Sequence, residues 1–227
     1  MPLSGHLAEL RRRLIVALFA LAAGTVLTWG SLERLYAWLA RPAGAIQLIA
    51  LGPGEGFATD LRLALFGGCC LAAPTWLVQA ALFVAPALTA ESRRRLPLWV
   101  TGALALACGG GLAGYFVVLP AALRFLLARG AAAATVMSVA RYTSFAIATL
   151  LATAAIAEFP LVLLALAGLG IVSPEALRRR RRQGWLLMVV AAALVTPSTD
   201  AVTLVLLTGP LIALYEVTLL LMKAVRA

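Results

Sequence analysis

The sequence predicts an all-α polytopic membrane protein with six transmembrane helices, the last two short. Three observations carry this. Hydrophobic residues make up 63% of the 227-residue chain and charged residues only 12%, whereas soluble domains average about 45–50% and about 25%. Mean hydropathy is +1.00. Apolar runs of roughly 20 residues, the length that crosses a bilayer, recur six times between charged breaks. Too little polar surface remains to coat a water-soluble domain, and disorder, collagen and a disulfide scaffold are excluded by the same composition. The runs lack the alternation of barrel strands.

The first segment, His6 to Arg13, reads as a short amphipathic helix at the membrane interface, with Ser4 or Gly5 as its cap. Glu9 can pair there with Arg12 or Arg13 at helical spacing. The uncharged run Leu14–Leu32 follows. Its basic lead-in and Ala20-Leu21-Ala22 fit a cleavable signal, but the apolar stretch is longer than a usual signal core, so a span at about 14–32 is expected. The second span falls at about 63–83 and the third at about 97–118. The fourth, about 142–168, holds Glu158 and is followed by Ser173-Pro174-Glu175, a helix start with Ser173 capping. The fifth, about 184–196, and the sixth, about 201–221, are separated only by the turn-forming cluster Thr196 to Asp200. Residues 1–227 are expected to form one six-helix domain. Cys69, Cys70 and Cys108 lie inside spans and read as small buried hydrophobes.

Orientation follows from the arginines. Arg11 to Arg13, Arg93 to Arg95, Arg178 to Arg182, Lys223 and Arg226 all fall on one side of a six-span chain. The positive-inside rule makes that side cytoplasmic, with both termini. The formal net charge of +10 is thereby mostly topology and lipid contact. No basic domain interleaved with aromatics exists for nucleic acid.

No phosphate-binding glycine loop, no metal-ligand cluster around the single His6 and no nucleophile–base constellation is present, so neither an enzyme nor a cofactor is expected. Gly109-Gly110-Gly111 lies in an apolar helix, where close helix packing is its natural use. The informative residues are the few acids. Glu158 lies near the middle of the fourth run, where a charge costs about 2.5–3.5 kcal/mol. A cation, a water-filled cavity or protonation must offset that cost, and the alternative is a neutral hydrogen bond to a neighbouring helix. Pro160 removes a backbone N–H two residues on, which predicts a helix broken beside the acid. Gln79 and Glu216 are candidate interhelical hydrogen-bond partners, and Asp200 is a candidate cap of the sixth helix.

Taken in order, the motifs resemble those of TatC, the core subunit of the twin-arginine protein translocase. They are His6-Leu7-x-Glu9-Leu10-Arg11-x-Arg13, Pro53-x-Glu55-x-Phe57, Ala73-Pro74, Gln79-x-x-x-Phe83-x-x-Pro86-x-Leu88, Phe116-x-x-x-Pro120, Glu158-x-Pro160, Ser173-Pro174-Glu175-x-Leu177-Arg178, Thr196-Pro197-Ser198-x-Asp200 and Pro210-x-x-x-Leu214-Tyr215-Glu216. The resemblance implies recognition of the paired-arginine signal of folded cargo, TatA-like and TatB-like single-span partners, transport driven by the proton-motive force, and a place in the cytoplasmic (inner) membrane. It implies signal-peptide contacts at Glu158, Glu91, Glu9, Arg13 and Phe83, and intramembrane polar or partner contacts at Gln79, Asp200, Glu216 and Pro210. Two positions depart from the family pattern. Its first-loop acid stands four residues beyond Pro-x-Leu, where this chain has Ser92, with Glu91 one residue early. Leu204 stands where the family often has glutamine.

Two other readings compete. One is a proton-coupled secondary transporter of a small solute with Glu158 as its coupling site, for which internal repeats are wanting. The other is a purely structural assembly subunit. The orientation itself is testable with reporter fusions. Alkaline phosphatase, active only outside the cytoplasm, is expected to be inactive when joined after Ala227 and active when joined after Ala43.

Overall fold

The computed structural model describes residues 3–44, 46–88, 93–129, 136–168, 170–195 and 201–226. They fall into two compact units. The first comprises Met1–Leu104 with Thr135–Ser144, and the second Ala105–Ala134 with Phe145–Ala227.

In the first unit, α1 (Leu3–Trp29) is continuous. The expected separate amphipathic helix is therefore the opening of the first membrane helix, and Ser4 and Gly5 lie within α1 rather than capping it. Helix propensity runs unbroken from Leu7 to Thr28, with no glycine before Gly24, so nothing stops the helix at the interface. At Gly30 and Ser31 the chain bends by 84° into α2 (Leu32–Ala40). A Gly/Ser pair is a usual site of such a kink. Both the backbone N–H and the hydroxyl of Ser31 donate to the Thr28 carbonyl, at 2.9 and 3.1 Å, which closes off α1.

Helix α3 (Glu55–Val84) packs along α1. Lipid offers no hydrophobic drive between helices, so close contact through small residues must hold them. The seam is built that way. A Cβ on Gly24 would stand 2.8 Å from the Gly68 carbonyl oxygen, and one on Gly67 or Gly68 would collide with Thr28 or Thr25. The two threonines satisfy their hydroxyls within α1, Thr25 on the Leu21 carbonyl and Thr28 on that of Gly24, each at 2.8 Å. Trp76 adds a bond from its ring N–H to the Ala17 carbonyl at 2.9 Å.

Two short strands, β1 (Gln47–Ile49) and β2 (Val136–Ser138), pair in parallel, with Gln47 opposite Val136 and Ile49 opposite Ser138. Three-residue strands 89 positions apart carry no periodic signal, and the sequence does not announce them.

Helix α4 (Leu96–Ala113) continues through a π turn (Gly114–Val118) into α5 (Leu119–Arg129). Helix α6 (Val139–Gly168) is likewise continuous. Pro160 does not break it, contrary to expectation, and Pro74 and Pro210 also lie inside unbroken helices. Proline is tolerated in apolar helices where neighbours and local adjustment absorb the lost bond. Within the second unit, Gly110 lets the backbone approach α6. A Cβ there would lie 2.5 Å from the Thr153 carbonyl oxygen and 2.6 Å from Ala157. Gly109 and Gly111 face open space, so only the middle glycine of the triplet serves packing.

The C-terminal part holds α7 (Pro174–Arg179), α8 (Arg181–Val195) and α9 (Ala201–Arg226). Ser173 caps α7 as expected, accepting from Ala176 N–H at 3.1 Å. Met188, Ala192, Leu207, Leu211, Tyr215 and Leu219 form the buried cluster of this unit with Ala152 and Leu163. The cysteines do not behave as buried hydrophobes: Cys70 and Cys108 are exposed and Cys69 is half-buried.

Among the described residues, Glu55–Val84, Leu96–Phe125 and Val139–Gly168 are long and apolar enough to cross a membrane, and the bent pair Leu7–Trp29 and Leu32–Ala43 makes up to four. Within α9, Leu207–Leu220 is a shorter apolar stretch. The chain is thus a multi-pass helical membrane protein.

The α1–α3 seam makes a stability prediction. Gly68→Ala should destabilise the protein by about 1–3 kcal/mol through overpacking, whereas Gly109→Ala should be neutral or slightly stabilising. Unfolding in mixed micelles distinguishes the two.

Candidate functional site

Each unit holds some of the polar residues singled out by sequence. In the first unit, α1 carries Glu9 and Arg13 one turn apart, and α3 brings Gln79 beside them. Arg13 donates to Glu9 Oε1 from Nε at 3.2 Å and from Nη2 at 2.5 Å. Its Nη1 donates to the Gln79 side-chain oxygen at 3.3 Å. Of the two arginines at helical spacing, it is Arg13, one turn along, that pairs with Glu9 among the described residues. Ala8, Glu9, Arg12, Arg13, Val16, Gln79 and Leu82 line a groove of about 560 Å³. Glu9 and Arg13 retain 26% and 20% of their side-chain exposure, so the pair is within reach of a ligand in the groove. Phe83 is half-buried on the same helix as Gln79. Glu91, the other acid of the implied signal-peptide contacts, lies outside the described residues.

In the second unit, Glu158 is half-buried on α6, and its carboxyl faces the backbone of Ala107. Its Oε1 is sheltered from solvent and has no hydrogen-bond partner among the described residues. A sheltered polar oxygen left unmatched in lipid is costly, so this atom is complementary to a donor or to a proton.

Glu216 on α9 is held by α8. Both oxygens receive the Arg181 guanidinium, with Nε to Oε1 at 3.1 Å, and Oε1 also accepts from the Trp185 ring N–H at 3.1 Å. Tyr215 beside it donates to the Leu177 carbonyl at 2.9 Å and packs its ring on Gly184. Glu216 is therefore an interhelical bond acceptor. Its partner is the first residue of α8, within the arginine run 178–182 and 35 residues upstream, and not a residue of its own helix. Pro210 is exposed on α9. Asp200, with the whole Thr196–Asp200 turn, lies outside the described residues.

One organising residue escaped sequence reasoning. Glu55, at the start of α3, accepts from the Ser138 hydroxyl, from Ala140 N–H at 3.1 Å and from Leu51 N–H. It ties the loop before α3 to the end of β2. The motif Pro53-x-Glu55-x-Phe57 marked the position, but its partners lie more than 80 residues downstream. Phe57 packs edge-on against Trp29, with ring centroids 6.3 Å apart.

These features define a multi-pass helical membrane protein with a groove lined by Glu9, Arg13 and Gln79 near one end of its first helix and an acid sheltered in a long apolar helix. Comparison with known proteins makes this specific. The family model described as Sec-independent protein translocase protein (TatC) matches residues 5–210. The Sec-independent protein translocase protein TatC of Synechocystis is 34% identical over 216 residues, covering 95% of this chain and 85% of that protein. That of Aquifex aeolicus is also 34% identical, covering 98% and 95%. A crystal structure of the twin arginine translocase receptor TatC superposes with a TM-score of 0.85 at 32% identity, covering 95% of this chain and 98% of that one. The chain belongs to the TatC family of protein translocase components. Membership favours protein translocation over small-solute transport and over an enzymatic role.

The Glu55 tie is open to direct measurement. An amide has one acceptor oxygen where the carboxylate has two, so Glu55→Gln must release at least one N–H. Amide hydrogen exchange at Leu51 or Ala140 should accelerate by about tenfold or more, while exchange in the middle of α3 should not change.

Proposed function

We propose that the protein is the signal-recognising core subunit of a twin-arginine translocase, and that the groove between α1 and α3 receives the paired arginines of folded cargo. The observation that carries this reading is the Glu9–Arg13–Gln79 constellation in a member of the TatC family. Glu9 already draws two N–H groups of one guanidinium onto its Oε1, an instance of the affinity of carboxylates for arginine. A signal arginine therefore meets a carboxylate that already attracts a guanidinium, on an otherwise basic face. Surrounding arginines repel any signal that does not place its own charges accurately. Glu91 is the natural second acid, and Phe83 and Val16 offer apolar surface to the signal that follows the arginines.

Glu158 fits as the polar point in the path of the signal helix or of a proton. Its sheltered, unmatched oxygen awaits a donor. Around these residues the chain has six spans with both termini in the cytoplasm of a bacterial-type inner membrane, and forms one functional domain. TatA-like and TatB-like single-span subunits complete the complex, with Gln79, Asp200, Glu216 and Pro210 as candidate contacts, and the proton-motive force drives transport.

Glu158→Ala is expected to abolish export of a twin-arginine cargo at unchanged protein abundance. Glu9→Ala should reduce crosslinking of a twin-arginine peptide to a cysteine placed at Leu82 by tenfold or more, roughly the loss of one charge-assisted contact. Normal export in the first variant together with normal crosslinking in the second would overturn the assignment.

A further inference from the structure

The unbroken run Arg178 to Arg182 is more charge than the second unit uses. Arg181 is bound to Glu216. Arg178 reaches the Leu219 carbonyl at 3.5 Å. The other three, Arg179, Arg180 and Arg182, are exposed and hold no ion pair among the described residues. The acids of this region are Glu216, already engaged by Arg181 and Trp185, and Glu175, which has a contact of its own.

What lies beyond these cations is apolar. Helix α8 turns Gly184, Met188 and Ala192 toward Tyr215 and the buried cluster. Its other face carries Leu186, Leu187 and Val190, which are 65%, 67% and 47% exposed. Arg182 stands one turn before Leu186 on that outward face. Trp185, between them in sequence, has its ring N–H on Glu216, the arrangement of an aromatic residue at the headgroup level of a membrane.

We propose that Arg179, Arg180 and Arg182 bind the phosphate of an anionic phospholipid whose acyl chain lies along Leu186, Leu187 and Val190. The order of groups from the end of α7 into α8, cations first and then an apolar stripe, matches the order of groups in such a lipid. A guanidinium forks to phosphate oxygens as it does to carboxylate, and arginine clusters beside a span end are a recognised pattern for anionic headgroups. The site has a structural use. Fifteen residues of α8 reach about 22 Å, short of the roughly 30 Å hydrocarbon core. A headgroup held at its first turn pins that end at the interface despite the mismatch.

The test uses the full chain in mild detergent, titrated with phosphatidylglycerol or phosphatidylcholine, with bound lipid counted by native mass spectrometry. Wild type should retain phosphatidylglycerol at concentrations where phosphatidylcholine is lost. R179Q/R180Q/R182Q should raise the half-saturating phosphatidylglycerol concentration on the order of 100-fold, and R182Q alone, which leaves α7 intact, about fivefold. Three results would overturn the proposal. One is wild-type lipid retention in both variants. Another is an equal loss in R93Q/R94Q/R95Q, which would make the effect one of bulk charge. The third is a triple variant that keeps its lipid but no longer captures a single-span partner subunit, which would make the arginines a protein contact.

Discussion

The close approach of α1 and α3 at Gly24, Gly67 and Gly68 is the constraint on which the first unit depends. In lipid, apolar burial does not draw helices together, so contact must come from backbone-to-backbone packing and from polar groups that find partners inside the protein. The seam meets both demands at once. Glycines allow the approach, and Thr25 and Thr28 fill the facing positions while bonding their hydroxyls to their own helix. Because the seam sets α1 against α3, the ends of those helices are also set. Arg13 then lies within reach of Gln79, and the groove beside Glu9 takes its shape.

The second unit uses the same physics with different residues. Gly110 brings α4 against Thr153 and Ala157 of α6. Glycine again recurs at Gly184, where the Tyr215 ring fits against α8. Polar groups there are paired across helices: Tyr215 on the Leu177 carbonyl, Glu216 on Arg181 and Trp185. Against that background, Glu158 Oε1 is one of three sheltered side-chain oxygens without a hydrogen-bond partner among the described residues, with the Thr143 and Thr208 hydroxyls, and the only carboxylate among them. That oxygen lies on a long apolar helix, where a polar atom without a partner is costly.

Much of the architecture was legible because it is written in one dimension. Composition places the chain in lipid, run length locates its helices, and the order of short motifs along the chain carries the family. Local rules also succeeded where the partners are neighbours, as with Ser173 capping α7 and Glu9 pairing one turn along with Arg13. They failed where the outcome depends on surroundings. Pro160 looks like a break, but α6 runs through it because helix packing can absorb one missing bond. The cysteines look buried because the type is usually buried in water-soluble proteins, whereas a lipid-facing surface accepts Cys70 and Cys108.

By itself, the sequence determined that this is a multi-pass helical membrane protein of the TatC family with few acids, and it named the acids worth examining. Only the tertiary structure decided what those acids touch. Arg13 and Gln79 are 66 residues apart, Glu55 and Ser138 are 83, and Arg181 and Glu216 are 35. No helical or strand period relates such positions. They meet because the packing of whole helices brings them together, and in lipid a polar side chain takes the partner that the packing supplies.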